Sequence, residues 1–155
     1  MSQALKQQSL YTSDFFAWTQ DQAAKLRARG GFDNRGDIDW ENAAEEIEGL
    51  GDSVRSEIES RVAVLVLHLL KWRYQADHRS SSWKGTIVEQ RGRIARRLKR
   101  NPSLRQYPAE VLHEEYESAR LLAAGETGLS EDTFPSECPF SIEDVLDLNF
   151  YPESA

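Results

Sequence analysis

The run Val62-Ala-Val-Leu-Val-Leu-His-Leu-Leu70 decides the fold. It sits inside residues 53–74, where Val54, Ile58, Val62, Leu65, Leu69 and Trp72 recur at helical spacing. In the second half of that stretch the apolar residues cover every side. A helix that is apolar all round must be enclosed by other helices. The sequence therefore predicts an all-α fold, an antiparallel bundle of four or five helices around this central one. Glu57, Arg61, Val64 and His68 form a second stripe beside the first. His68 is the one polar residue of the run. A buried imidazole needs a partner, since an unsatisfied polar group costs about 1–3 kcal/mol. The partners expected for it are Glu45 or Glu48 from the preceding helix, or the network of Arg61.

Upstream, Asp37 or Asp39 is placed to cap a helix carrying Trp40, Ala43, Ala44, Ile47 and Leu50 on one side. Gly49-Leu-Gly51 predicts a break between that helix and the central one, because each helical glycine costs about 1 kcal/mol against alanine. Before it, Thr12 or Ser13 caps a first helix. Its Tyr11, Phe15, Trp18, Gln22 and Leu26 are expected to turn an aromatic stripe to the core, and the glycines of loop 29–36 end it. Residues 1–10 read as a polar tail.

Downstream, Ser80, Ser81 or Ser82 caps a helix whose buried face is Trp83, Ile87, Ile94 and Leu98. Asn101-Pro102 stops it, and Pro108 opens a helix through residue 124 with Leu112, Tyr116, Ala119 and Ala123 inside. Gly125 and Gly128 end that helix. The rest is an irregular C-terminal wrap with one short helix over 141–148. Residues 11–152 are expected to form a single domain, with 153–155 a tail.

The 155 residues carry a formal charge of -7, which opposes non-specific attraction to DNA or anionic membranes. Cys138 is the only cysteine, so no intrachain disulfide can form and a reducing compartment suits the chain. The N-terminal stretch has no apolar signal core. The apolar run is far short of the ~20 residues that span a bilayer. A cytoplasmic protein without membrane association is the expectation.

Three constellations are candidates for chemistry or binding. The first is the acidic stripe Glu41, Glu45 and Glu48, with His68 as a nitrogen ligand for a shared metal. Carboxylate-bridged metal bundles use Glu-x-x-His pairs, and none occurs here. The preferred reading is a solvated acidic face, a structural His68, and no cofactor. The second is Cys138, whose acidic surroundings disfavour the thiolate. The third is the charge layout. Residues 83–105 hold eight basic residues and one acid, +7 in all, leaving the rest of the chain at -14. Arg93, Arg96, Arg97 and Arg100 share one helical face and could grip phosphates or carboxylates. Residues 106–155, with twelve acids and one base, are expected to neutralise that face at least in part. Trp72 and Trp83 add aromatic surface suited to an interface.

Five blocks in order carry a resemblance: Asp14-Phe-Phe-Ala-Trp-Thr19; Asp39-Trp-Glu-Asn-Ala-Ala-Glu-Glu-Ile-Glu48; His68-Leu-Leu-Lys-Trp72; Ser82-Trp83 with Gln90-Arg91; and Glu126-Thr-Gly-Leu129 with Phe134-Pro135 and Cys138-Pro139. The chain resembles the bacterial domain of unknown function 29, a family seen largely in cyanobacteria and proteobacteria. The resemblance implies an all-helical fold and no established activity. The loop over 30–38 is somewhat longer than the family pattern, and no function is carried across it. The function expected is a small regulatory module, not an enzyme, that binds a protein partner or a second copy of itself. Nucleic-acid binding through Arg93, Arg96, Arg97 and Arg100 is the alternative. A metal-dependent hydrolase on Glu45 and His68 is a further one.

Overall fold

The computed structural model describes residues 3–32 and 36–155. Asp33, Asn34 and Arg35, part of the predicted helix-ending loop, lie outside the described residues. Six α-helices occur among them: α1 (Gln3–Ser13), α2 (Phe15–Phe32), α3 (Trp40–Tyr74), α4 (Ser81–Arg100), α5 (Tyr107–Thr127) and α6 (Ile142–Leu146). Three 3₁₀ turns occupy Ala76–His78, Pro102–Leu104 and Glu131–Thr133, and no strand is present among the described residues. The fold is all-α, as the periodicity predicts. Backbone contacts gather it into two compact units, where the sequence reading takes 11–152 as one domain. One unit comprises Met1–Glu57 with Arg97–Arg105, the other Ile58–Arg96 with Gln106–Ala155.

In the first unit, the expected polar tail is helical from residue 3. Asp14, rather than Thr12 or Ser13, caps α2: its Oδ1 accepts the Ala17 N–H at 2.9 Å. Asp14 also accepts the Ser103 N–H at 2.7 Å and the Ser103 hydroxyl at 2.9 Å. Asn101 completes this latch. Its Oδ1 accepts the Phe16 N–H at 2.8 Å and its amide donates to the Arg97 carbonyl at 2.8 Å. Among the described side chains of α2, Thr19 and Ala23 are buried. Tyr11, Phe15 and Trp18 instead pack on one another, with ring centroids 4.8–5.8 Å apart, and Tyr11 stays exposed. The inward aromatic stripe is thus corrected to an edge cluster.

The expected break at Gly49-Leu-Gly51 does not exist, because α3 runs unbroken through both glycines. The reason is packing. A Cβ added at Gly51 would collide with the Thr19 hydroxyl and lie 3.2 Å from both Phe16 and Gln20. Glycine lets α2 and α3 approach there, and Leu50 is left exposed.

In the second unit the sequence reading of the centre holds. Ile58, Val62, Leu65, Val66, Leu69 and Leu70 are fully buried. Ile87 and Ile94 of α4, and Tyr116, Ala119 and Ala123 of α5, are buried too. Gly128, at φ 73°, closes α5, whereas Gly125 lies within the helix. The C-terminal stretch is pinned at several points. The Tyr116 hydroxyl donates to the Pro135 carbonyl, Tyr74 packs on Phe134 at 5.0 Å, and Trp72 on Tyr151 at 5.0 Å. Residues 153–155, expected to be a tail, are tied down. Arg79 donates to the Ser154 hydroxyl at 3.1 Å, and the Ala155 N–H donates to the Arg73 carbonyl at 3.0 Å.

The two glycines of α3 make a paired prediction. Nothing lies within 4 Å of a Cβ at Gly49, so Gly49→Ala should stabilise by about 1 kcal/mol through helix propensity alone. Gly51→Ala has the same propensity gain but forces Thr19 aside, and should destabilise by about 1–3 kcal/mol. Urea melts of both variants check this. Equal shifts of the same sign would mean that the close approach at Gly51 is absent.

Candidate functional site

Helix α4 is built to work on two sides. Ser80 starts it by accepting the Trp83 N–H at 3.2 Å. Its inner face carries Ile87, Arg91 and Ile94, all buried. Arg91 is 1% exposed. Its Nε donates to the Val145 carbonyl at 2.8 Å and its Nη2 to the Asp144 carbonyl at 3.2 Å. Those carbonyls end α6, a helix started by Ser141 accepting the Asp144 N–H at 3.1 Å. Carbonyls at a helix C-terminus run short of intrahelical partners, and a cation there adds donors: Arg91 serves the Val145 carbonyl and joins the Asp147 N–H on the Asp144 carbonyl. The guanidinium lies 5.6 Å from the Tyr151 ring centroid. Burial lowers its pKa, opposed by Tyr151 and Asp147. Sequence reasoning counted Arg91 among surface charges and missed this role.

The outer face of α4 exposes Gly85, Val88, Ala95, Arg96 and Arg100. The arginines were expected to be neutralised by acids of the C-terminal third. The ion pairs found are instead Arg93 with Glu89, one turn back at 2.9 Å, and Arg97 with Glu57 at 2.5 Å. Arg96 and Arg100 have no carboxylate partner among the described residues. Trp72 and Trp83 are half-buried with their faces occupied. Arg79 stacks over Trp72 at 5.0 Å. The Lys71 ammonium lies 4.6 Å over Trp83 and pairs with Glu126 at 3.0 Å.

Helix α5 exposes a face of its own. Glu110, Glu114 and Glu117 lead it, and Leu121 and Leu122 follow at 58% and 53% exposure. The leucine pair was not singled out from sequence. The signal was present, because both fall off the inner stripe of Tyr116, Ala119 and Ala123.

The metal constellation is not assembled among the described residues. An unbroken α3 contains no turn to lay Glu45 and Glu48 beside His68. His68 Nδ1 lies 2.8 Å from the Val64 carbonyl of its own helix, where a carboxylate or the Arg61 network was expected. Arg27 holds Glu48 at 2.8 Å and Glu41 at 3.1 Å, and these two bonds raise the arginine pKa. Glu45 is exposed. Among the described residues, no three His, Cys, Asp or Glu side chains gather as a metal site. Burial pushes the Cys138 thiol pKa up, although its bond to the Phe140 carbonyl lowers it. An open cleft of about 300 Å³ is lined by Asp77, His78 and Ser154 among others. No hydrogen bond links these three as a nucleophile and its base would be linked, and Ser154 accepts from Arg79 instead. Among the described residues no helix is long and apolar enough to cross a membrane.

One carboxylate has a shifted affinity for its proton. Burial raises the Glu115 pKa, and the charges of Glu59 and Glu114 raise it further. The Glu59 carboxylate meanwhile accepts from the Tyr107 hydroxyl. The folded chain therefore holds the Glu115 proton to higher pH than the unfolded chain does. Its contribution is present below the ordinary carboxyl range and is lost as pH rises through the raised value. Glu115→Gln should melt higher than wild type at neutral pH, with the gap closing toward about pH 4. Thermal melts across that range check it, and a gap independent of pH would contradict it.

No curated protein matches the sequence. An α-helical protein of unknown function from Rhodospirillum rubrum has a similar crystal structure, with a TM-score of 0.71 and 24% identity over 90% of each chain. That likeness supports the all-α fold. The family model of the domain of unknown function DUF29 matches residues 10–151, so the chain belongs to that family.

Proposed function

We propose that the protein is a cytoplasmic, non-catalytic interaction module that binds a protein partner through the outer faces of α4 and α5. The observation that carries this reading is the neighbouring pair Leu121 and Leu122, both more than half exposed on a chain whose centre is fully packed. Apolar side chains set in a charged rim are the usual composition of a contact surface. Val88, 50% exposed on α4, adds to it. Affinity capture with the full chain tests the reading. Wild type should retain a defined partner, either another protein or an untagged copy of itself. The Leu121→Glu/Leu122→Glu variant should lose it while keeping its helix content. Equal capture by both, or none by wild type, would overturn the reading.

Nucleic acid is the second reading, favoured by Arg96 and Arg100 standing exposed without carboxylate partners among the described residues. The net charge of -7 opposes it. The expected result is weak retention on duplex DNA that is lost at physiological salt. Tight binding, with affinity falling about 0.9 log units per log unit of salt for each phosphate contacted, would favour it over the protein partner.

A further inference from the structure

We infer that the outer face of α4 in one copy of this chain pairs antiparallel with the outer face of α5 in a second copy. This rests on the interaction-module reading and names its partner. Three matched positions carry it. Along α4 the exposed order is Gly85 and Val88, then Glu89 with its charge taken up by Arg93, then Arg96: apolar first, basic later. Along α5 the order is Glu114, Leu121, then Gly125: acidic first, apolar later. Only an antiparallel pairing sets like with like and charge against charge. Gly85 and Arg96 are eleven residues apart, and so are Gly125 and Glu114. At ~1.5 Å per residue both spans are about 16 Å, so seating Gly85 on Gly125 brings Arg96 to Glu114. Val88 is three residues after Gly85 and Leu121 four before Gly125, so these two exposed side chains meet between.

The glycines supply an independent reason. Gly85 and Gly125 sit inside helices, and nothing lies within 4 Å of a Cβ built on either. Nothing among the described residues explains their cost to helix stability. A second helix crossing at that point would, since small residues let two backbones approach. The helix dipole explains basic residues in the last turn and acids in the first, but its effect fades beyond one turn. It does not account for Glu114, which lies two turns into α5, or for Val88 and Leu121.

Sedimentation equilibrium of the full chain over the micromolar range tests the pairing. Wild type should associate reversibly. Arg96→Glu sets glutamate against Glu114, and Glu114→Arg sets arginine against Arg96, so each alone should weaken association by about tenfold or more. An equimolar mixture of the two variants should restore it, because every α4–α5 contact between unlike copies is again oppositely charged. Circular dichroism checks that both exposed-site variants keep their helices. A wild type that stays monomeric overturns the pairing and leaves the capture experiment to judge the module reading. Association unmoved by either reversal overturns it in favour of another surface. Failure of the mixture to recover overturns it as well. So does a monomeric wild type that binds duplex DNA and loses that binding in Arg96→Glu.

Discussion

The buried guanidinium of Arg91 is what joins the C-terminal stretch to the helix that supports it. A charge placed in a protein interior is costly unless hydrogen bonds replace its hydration. Arg91 donates to the Val145 carbonyl and shares the Asp144 carbonyl with the Asp147 N–H at the end of α6, and Tyr151 covers it at 5.6 Å. Removing the side chain would leave the Val145 carbonyl without its donor, at about 1–3 kcal/mol, and the Asp144 carbonyl with only the Asp147 N–H at 3.2 Å. The stretch has little else of regular structure to hold it. Its helix is five residues long, and short helices are marginal without tertiary support. The Tyr116–Pro135 bond and the ring contacts at Phe134 and Tyr151 share the task, but they act at its two ends.

The centre of the fold was legible because hydrophobic periodicity reports burial directly. Leu65 and Leu69 are buried, as their stripe requires. Much of what went unread depends on contacts distant in sequence. Gly51 looks like a breaker until Thr19 is found against it. Asn101 looks like a simple stop signal, yet its side chain serves Phe16, 85 residues away. His68 satisfies itself on the Val64 carbonyl, a local bond that pattern reading does not rank above a distant carboxylate. Arg91 was within reach. Ile87, Arg91, Ile94 and Leu98 follow one helical stripe, and only the habit of assigning arginine to the surface hid it. For the candidate surfaces, the arginine face was found by spacing, its partners were not, and the leucine pair of α5 was overlooked.

Helix α4 thus has its inner side committed to structure and its outer side left to solvent. Buried Arg91 and Ile94 share it with exposed Arg96. Substitutions on the outer face can therefore be made without disturbing the buried side chains of the same helix.

Native-state amide exchange in wild type and Arg91→Met tests most directly whether the guanidinium holds the C-terminal stretch. Methionine keeps an apolar side chain in the core but donates to neither carbonyl. The amides of Val145 and Asp147, bonded to Ser141 and Asp144 at 2.9 and 3.2 Å, report on α6. They should exchange faster by about tenfold or more, while amides around Leu65 and Leu69 lose less protection. Unchanged exchange at Val145 and Asp147 would contradict the account, because α6 would then stand without Arg91.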